Sequence, residues 1–238
     1  MRSRIALVIP ALNEEEAIGE VVSGFVALVD GAGHPLLDEV VVADNGSTDR
    51  TGEAAQSAGA TVVRQPERGY GAACLAAIDH LQQRTGGPPE IVVFADGDGS
   101  NLPEELVALV EPLLRAHADL VIGARTVRAA PGSLTFPQRF GNRLATTLMN
   151  RLNGAQFSDL GPYRAITWSA LQRLEMEDRN YGWTIEMQLK AVHRGLVAVE
   201  VDVGNRVRIA GRSKVAGTVR GVVGAGTKIL WSLWRYRA

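Results

Sequence analysis

Residues 90–100 read EIVVFADGDGS, an apolar run that ends on two carboxylates two positions apart. Such a run, rich in Val and Ile and followed by a glycine-rich turn, predicts a strand that is buried on both faces. Asp96 and Asp98 then repel each other unless a cation, a proton or a hydrogen-bond network compensates their charge. Mg²⁺ usually binds through one or two carboxylates plus substrate phosphates. The stretch therefore predicts a metal site, with an ordinary Asp-Gly turn as the alternative.

Similar apolar runs occur on both sides of this stretch, near residues 4–10, 39–44, 60–65 and 118–125, and they alternate with helical patterns. The alternation predicts an α/β domain in which helices cover both faces of a predominantly parallel sheet. Ligands of such sheets bind beyond the carboxyl ends of the strands. The residues that end or follow a predicted strand, which we expect at one site, are Asn13, Glu14, Asp44, Asn45, Asp96, Asp98 and Arg125.

Residues at the starts of two predicted helices have either a structural role or a role in the site. The first helix is predicted from about Glu14, where Asn13 can act as the cap and Glu16 can complete a capping box. Glu14 is then either part of the site or a first-turn acid that compensates the helix dipole. Before the third predicted helix, Gly69 and Gly71 either permit close approach of another backbone or form an ordinary tight turn.

The chain as a whole, at 238 residues, fits one large domain. Its single cysteine, Cys74, excludes an intramolecular disulfide, and the sequence has neither a signal-like start nor a long apolar run. We therefore expect a cytoplasmic protein without a transmembrane helix. The net charge of -1 conceals a segment, residues 204–238, with eight Lys or Arg and no acid, which predicts an anionic partner. That partner is expected to be an anionic membrane surface, and no nucleic-acid partner is expected.

A second basic stretch, residues 120–158, has five arginines and no acid, and Arg139 and Arg143 could share one helix face. The last residues, 216–238, combine an apolar stripe at helical spacing with interleaved Arg and Lys. This tail is either an interfacial membrane helix or a terminal helix docked on the core.

Four motifs stand in order along the chain: IPALNEEE at residues 9–16, ADNGSTDRT at 43–51, FADGDGS at 94–100 and GAR at 123–125. Together they resemble the family 2 glycosyltransferases of the GT-A fold. RIAGRSK at residues 208–214 is similar to the R-x-x-G-x-S-K pattern of the branch that uses polyprenyl phosphates, such as dolichol-phosphate mannose or glucose synthases. The resemblance implies a GT-A domain at 1–215, with a nucleotide-sugar half at 1–125 and an acceptor half at 126–215, and a basic amphipathic tail at 216–238.

The resemblance also implies a function. The chain would be a metal-dependent, inverting hexosyltransferase that uses Mg²⁺ or Mn²⁺, a UDP- or GDP-sugar and a polyprenyl phosphate, as a peripheral protein at the cytoplasmic membrane face. Asp96 and Asp98 would form the metal motif, with Asp98 the more direct ligand, while Glu14 and Asp44 would contact the nucleoside. The residues that the resemblance assigns to the nucleotide sugar are Pro10, Ala11, Asn13, Glu14, Asp44, Asn45, Gly71, Asp96, Gly97 and Asp98.

The acceptor is predicted from charge. A sugar hydroxyl needs a general base, whereas a phosphate monoester is already anionic, so the acid-free stretch at 120–158 favours a phosphate. Asp159 and Glu186 are candidate bases, or else each orients Arg164 or another arginine. The residues assigned to catalysis are Asp96, Asp98, Asp159, Arg208 and Lys214. The residues assigned to the acceptor phosphate are Arg125, Arg139, Arg208, Arg212, Ser213 and Lys214.

Two departures from the family pattern leave the binding mode open: Asn45 stands where a second Asp is common, and Ser100 stands where a glutamine often assists the metal. One alternative is a family 2 enzyme with a soluble or saccharide hydroxyl acceptor. Another is a phosphatase of the haloacid dehalogenase type, although nothing after Asp98 resembles the later acidic pair, typically G-D-x-x-x-D, that such enzymes need for the metal. A non-catalytic nucleotide-binding scaffold is the third. A dinucleotide-dependent dehydrogenase is disfavoured, because no G-x-G-x-x-G follows the first strand.

Overall fold

A computed structural model describes residues 3–210, 226–228 and 231–236. Its strands are β1 (Ile5–Ala11), β2 (Glu39–Asp44), β3 (Thr61–Arg64), β4 (Ile91–Phe94), β5 (Leu120–Ala129), β6 (Arg164–Thr167) and β7 (Ala198–Asn205). Its named helices are α1 (Ile18–Val26), α2 (Thr51–Ser57), α3 (Tyr70–Gln82), α4 (Leu106–Leu114), α5 (Phe136–Asn153), α6 (Trp168–Leu174) and α7 (Trp183–His193). A short 3₁₀ turn, Pro103–Glu105, precedes α4.

These strands form a seven-stranded sheet in the order β3-β2-β1-β4-β6-β5-β7. β1 is parallel to β2 and β4, and β2 is parallel to β3. β6 is antiparallel to both β4 and β5, while β7 is parallel to β5. All described strands except β6 therefore point the same way, and their carboxyl ends meet at one edge. The predicted α/β class with a predominantly parallel sheet is confirmed.

Apolar side chains leave both faces of the sheet, which is why the strands read as unbroken hydrophobic runs. Along β1, Ile5, Leu7 and Ile9 enter one core, whereas Ala6 and Val8 enter the other. Helices α1, α2 and α4 contribute to the first core, and α3, α5, α6 and α7 contribute to the second. The predicted covering of both sheet faces by helices is thus confirmed.

The start of α1 differs from the prediction. The helix begins at Ile18, not near Glu14, and no side chain caps its first turn. Asn13 has a positive φ of 52° and its Oδ1 accepts a hydrogen bond of 2.8 Å from the Thr48 amide. The Glu14 amide donates to Thr51 Oγ1 at 2.9 Å. The predicted capping box is wrong, because contacts with residues 48–51 hold Asn13 and Glu14 outside the helix.

The proposed boundary between residues 125 and 126 falls inside β5, which is longer than the apolar run alone predicted. The pairing of β5 with β7 shifts register between Ala124 and Arg128. Because the sheet is continuous across this boundary, the two proposed halves share one sheet and the two cores on its faces.

The described part of the C-terminal segment, 226–228 and 231–236, is largely helical. Leu233 is buried in the core, and Tyr236 donates a 3.1 Å hydrogen bond to Glu186. Lys228 pairs with Asp178 at 2.8 Å. Of the two alternatives for the tail, these residues favour the docked terminal helix. No helix in the described ranges is long and apolar enough to cross a membrane.

Candidate active site

A cavity of about 930 Å³ opens where the carboxyl ends of β1, β4 and β7 meet. This is the edge at which a parallel α/β sheet binds its ligands. Part of its wall was predicted from the sequence. The predicted residues that line it are Pro10, Ala11, Glu14, Asn45, Asp96, Gly97, Asp98, Arg125 and Arg208.

The loop after β4 is held in a tight turn. The Asp96 amide donates to Asn101 Oδ1 at 2.8 Å, and the Ser100 amide donates to Asp98 Oδ1 at 2.9 Å. Gly99 has φ of 77°, and a Cβ built on it would lie 2.4 Å from Ile209 Cδ1. Glycine is therefore required where the loop passes beneath residue 209, and Ser100 supports Asp98 through its backbone.

The pKa values of Asp96 and Asp98 are shifted in opposite directions. Burial, together with the charge of Asp98, raises the pKa of Asp96 to about 7. Burial alone would also raise the pKa of Asp98, but hydrogen bonds from Arg208 and Ser100 lower it below its usual value. Tyr70 donates a long hydrogen bond of 3.4 Å to Asp96, and burial raises the pKa of this phenol well above its usual value. The two carboxylates thus form an electrostatically strained pair.

The segment that follows β7 covers this loop. The Arg206 amide donates to Ser100 O at 3.0 Å, and the Ile209 amide donates to Asp98 O at 2.9 Å. Arg206 Nε donates to the Gly99 carbonyl. Arg208 Nη2 lies 2.5 Å from Asp98 Oδ2. Residues 206–209 therefore carry a guanidinium onto the carboxylate motif.

The donor set fits a divalent cation in an open site. No group of three or more Asp, Glu, His or Cys side chains within the described ranges could hold a metal by itself. Asp96 and Asp98 nevertheless both line the cavity, and burial together with the charge of Asp98 opposes ionisation of Asp96, so a cation bound between them would favour its charged form. Mg²⁺ typically binds to one or two carboxylates with phosphate oxygens and water at its other positions. Asp98 and Asp96 would hold such an ion beside a bound diphosphate.

Asp159 positions an arginine. It is 1% exposed and does not line the cavity, whereas Arg125 does. Arg125 Nε and Nη2 donate to the two Asp159 carboxylate oxygens, each at 2.8 Å, and the Arg125 amide adds a third bond of 2.8 Å. Gln188 Nε2 donates to the Asp159 carbonyl at 2.9 Å. Of the two predicted roles, a base or an arginine partner, the geometry supports the partner, and that arginine is Arg125.

Glu186 likewise does not line the cavity. Its carboxylate accepts hydrogen bonds from the amides of Glu177 and Asp178 and pairs with Lys190 at 2.8 Å. The buried Arg164 contacts neither candidate base and donates to the carbonyls of residues 160, 161 and 184. Glu186 thus fixes the loop before α7 and is placed to act on no acceptor in the cavity.

Three residues predicted for the nucleotide make structural contacts. Asp44 Oδ1 accepts a 2.9 Å bond from the Ser47 amide, and neither Asp44 nor Asn13 lines the cavity. Asn45 does line it, and its amide group joins two segments: Nδ2 donates to Glu67 O at 2.6 Å, and Oδ1 accepts from the Gly69 amide at 2.7 Å. An aspartate could not make the Nδ2 bond, which explains why Asn45 suits this position.

Gly69 and Gly71 permit close approach of another backbone, the first of the two alternatives above. A Cβ on Gly71 would lie 1.8 Å from Asp178 O, and one on Gly69 would lie 2.0 Å from Arg179 O. The Ala72 amide donates to Arg179 O at 2.9 Å. Gly71 does not line the cavity, but the contact brings residues 180–184 to the cavity wall.

Much of the remaining wall was not predicted. Many of the added residues belong to four segments far apart in sequence: Arg68 to Tyr70, residues 132–135 with Gln138, residues 180, 181, 183 and 184, and residues 205–207. Two features of the sequence could have pointed to these residues: Pro131-Gly132, which marks a loop, and the position of Arg206 within the basic segment at 204–238. Arg139 is exposed on α5 and outside the cavity wall. Arg212, Ser213 and Lys214 lie outside the described residues, so their predicted roles stay predictions.

Comparison with known proteins gives consistent matches. Residues 6–174 match the model of Glycosyl transferase family 2. The chain is 33% identical to a dolichyl-phosphate hexose transferase of Haloferax volcanii, over 89% of this chain and 86% of that protein. It is 30% identical to a polyprenol monophosphomannose synthase of Mycolicibacterium smegmatis, over 90% and 82% of the two chains. A glucosyl-3-phosphoglycerate synthase from Mycobacterium tuberculosis, solved with Mn²⁺, UDP and glucosyl-3-phosphoglycerate, superposes with a TM-score of 0.77 at 27% identity, over 99% of this chain and 80% of that one.

Proposed function

The chain belongs to glycosyl transferase family 2 and has the GT-A fold, and we propose that this hexosyltransferase moves a hexose from a UDP- or GDP-sugar to a polyprenyl phosphate. The proposed reaction proceeds with inversion and uses Mg²⁺ or Mn²⁺. Because the chain belongs to this family, the haloacid dehalogenase-type phosphatase, which the FADGDGS motif alone had left open, is excluded.

The donor end of the cavity supports a nucleotide sugar. Glu14, Asp96 and Asp98 line it together with Asn45, and the solved synthase with the same architecture holds Mn²⁺ and UDP. The chemistry that a divalent cation supplies at such a pair is neutralisation of the charge that develops on a departing diphosphate. Arg208 and Arg125 supply fixed positive charge beside it, and preorganised charge of this kind is commonly the largest contribution to catalysis.

One observation carries the acceptor assignment. The carboxylates among the described residues that line the cavity are Glu14, Asp96 and Asp98, and no histidine is among those lining residues. Asp98 is paired with Arg208, and Asp159 is held by Arg125 behind the wall. Residues 211–225, which the structure does not describe, contain no Asp, Glu or His. Beyond the proposed metal pair, Glu14 is the one carboxylate among the described lining residues, and the proposal assigns it to the nucleoside. A hydroxyl acceptor would therefore have no further carboxylate as its base, whereas an anionic phosphate needs positive charge to position it.

Within this proposal the chain's own residues have distinct roles. Arg125, fixed by its three bonds to Asp159, would hold the acceptor phosphate at the inner wall. Arg208 would leave Asp98 to contact phosphate when a cation is bound. Residues 206–209, which cover the loop after β4, would exclude water from the reacting atoms.

A second candidate acceptor is a small phosphorylated molecule that reacts through a hydroxyl. The observation in its favour is the polar wall of Ser133, Thr135, Gln138, Asn180 and Thr184. The synthase that was solved with glucosyl-3-phosphoglycerate also has this architecture. Both acceptors carry phosphate, so Arg125 would serve either one.

The test is a panel of UDP- and GDP-hexoses, each offered with a short-chain polyprenyl phosphate in detergent or with 3-phosphoglycerate. Released nucleotide and glycosylated product are measured together, with and without chelator. We expect product with the lipid phosphate and a requirement for Mg²⁺ or Mn²⁺. Product with phosphoglycerate alone would move the assignment to the second candidate. Tight nucleotide binding without turnover on either acceptor would favour the non-catalytic scaffold.

A further inference from the structure

Helix α5 exposes an apolar stripe that no core contact explains. Phe136, Phe140 and Leu144 follow one another at four-residue spacing and are 79%, 60% and 44% exposed. Residues four apart lie on one helix face, and the two phenyl rings stack with centroids 6.3 Å apart. Large exposed apolar side chains in one continuous patch mark an interaction surface more often than scattered ones do.

The stripe does not result from an inverted or poorly defined helix. Ala145 and Met149, on the opposite side of α5, are fully buried in the core. The first turn is fixed by a capping box in which the Gln138 amide donates to Thr135 Oγ1 while the Gln138 side chain engages Thr135 in return. The buried opposite face and the capping box therefore fix Phe136 and Phe140 on the outward side of α5.

Positive charge accompanies the stripe. Arg139, Arg143 and Arg151 are exposed on the same helix, which has no Asp or Glu. An exposed surface that combines aromatic rings with unbalanced arginines fits a partner that is apolar inside and anionic outside. A lipid bilayer with anionic headgroups has that composition.

The stripe also adjoins the cavity. Ser133, Leu134, Thr135 and Gln138 line the cavity, and α5 begins at Phe136. An acceptor whose phosphate lies in the cavity and whose hydrocarbon chain leaves past α5 would pass directly over the exposed rings. In the described parts of the C-terminal segment, 226–228 and 231–236, the basic side chains Lys228 and Arg235 offer less free charge, since they pair with Asp178 and Glu177.

We propose that the exposed face of α5 is the membrane-docking surface of this protein, with Phe136, Phe140 and Leu144 inserted at the headgroup boundary of an anionic bilayer. Arg139, Arg143 and Arg151 then contact lipid phosphates. The delivery of a lipid-linked acceptor to the cavity mouth rests on the proposed function, whereas membrane docking itself does not. A symmetric dimer through α5 is disfavoured, because arginines of one helix would face arginines of the other without an acid on either helix.

The first experiment is sedimentation of the full chain with vesicles of equal parts phosphatidylglycerol and phosphatidylcholine. We expect Phe136→Ser/Phe140→Ser to lower the partition coefficient about tenfold, since two rings lose their insertion into lipid. Val107→Ser/Leu114→Ser is the matched control, because these exposed residues lie on α4 against the other core. Arg139→Gln/Arg143→Gln should weaken binding and its salt dependence, whereas Arg64→Gln/Arg115→Gln should leave both unchanged.

A second measurement does not depend on loss of function. Cys74 is buried, so Phe140→Cys provides a single accessible thiol for an environment-sensitive dye. The dye at residue 140 should shift to the blue when vesicles are added, and a dye at Val107→Cys should not. Melting curves confirm that each variant is folded.

Three results would overturn the proposal: wild-type protein that fails to sediment, equal sedimentation of all variants, or a dye at residue 140 that does not respond. A wild-type dimer that Phe136→Ser/Phe140→Ser dissociates would assign the stripe to a second copy instead. Transfer to a short-chain polyprenyl phosphate in detergent tests the proposed function separately. If that transfer is intact while vesicle binding is absent, only the docking surface is wrong.

Discussion

Arg208 Nη2 lies 2.5 Å from Asp98 Oδ2, although the two residues are 110 positions apart in sequence. The same nitrogen is 3.8 Å from Glu14 Oε1. The chain thus provides its own cation for the carboxylate that we propose as a metal ligand.

Arg208→Ala should therefore tighten the binding of Mn²⁺ to the nucleotide-free protein. The arginine competes for Asp98, and a partly exposed ion pair of about 1 kcal/mol corresponds to roughly a five- to tenfold lower Kd once it is removed. Electron paramagnetic resonance of free Mn²⁺ measures this directly. Arg206→Ala is the control, because Arg206 contacts the Gly99 carbonyl and no carboxylate there. An unchanged Kd in Arg208→Ala, or an equal gain in the control, would contradict the competition.

Asp98→Asn should lower turnover by about a hundredfold or more, because it removes the charged ligand that the proposed metal requires. The melting temperature should fall only slightly, by roughly 2–4 °C, as Arg208 loses its nearer partner. Turnover with added Mn²⁺ and a melting curve are the two measurements. The exposed Asp202→Asn serves as the control. Near-normal turnover in Asp98→Asn would remove this residue from the metal site.

Asp159→Asn distinguishes a positioning residue from a base. The amide oxygen can still accept a bond from Arg125, so we expect about a tenfold rise in the KM of the acceptor and an unchanged shape of the pH–rate profile. Loss of a general base would instead cost about 10²–10⁴-fold in kcat and remove the acidic limb of that profile. Steady-state kinetics as a function of pH separate the two outcomes, and the second one would restore the catalytic role.

Gly71→Ala should destabilise the fold strongly. The new Cβ would lie 1.8 Å from Asp178 O, so either α3 or the loop before α7 must move, at a cost of about 3 kcal/mol or more. Gly141→Ala is matched to it, because Gly141 also lies in a helix and a Cβ there meets nothing within 4 Å. That control should gain about 0.5–1 kcal/mol. Urea unfolding of both variants measures the difference, and equal midpoints would refute the close approach.

Glu39→Gln should lower the stability of the fold at neutral pH but not at acidic pH, where Glu39 is protonated. Burial opposes ionisation of Glu39, but hydrogen bonds from His80 and Thr61 and the charge of Arg84 lower its pKa below the usual 4.5. The fold therefore favours the ionised form, and this stabilisation is present above pH 4.5 and lost as pH falls through the lowered folded-state pKa. We expect the variant to be less stable by about 1 kcal/mol at pH 7, and this difference to shrink as pH falls below 4.5.

Glu111→Gln removes an exposed pair with Arg115 and should change little at either pH. Denaturant midpoints at several pH values provide the comparison. A difference for Glu39→Gln that grows as pH falls would contradict the assigned sign.

Sequence patterns predicted well those site residues that lie at the ends of strands. Glu14, Asp96 and Arg125 each end or follow an apolar run, and all three line the cavity. Asp44 also ends a strand, yet its carboxylate turns to the Ser47 amide and does not line the cavity. The pattern identifies the edge of the sheet at which a residue lies, but it does not identify the direction of the side chain.

The sequence by itself determined the α/β class, the parallel strands and the edge that holds the carboxylate motif, because these follow from periodicity and from residues a few positions apart. The tertiary structure decided which partners those groups have: Arg208 on Asp98, Arg125 on Asp159, and the loop at Asp178 against Gly71. It also decided that α5 buries Met149 and exposes Phe140. Contacts of this kind join segments that are distant along the chain, and they depend on how helices and loops pack around the sheet, which no local pattern encodes.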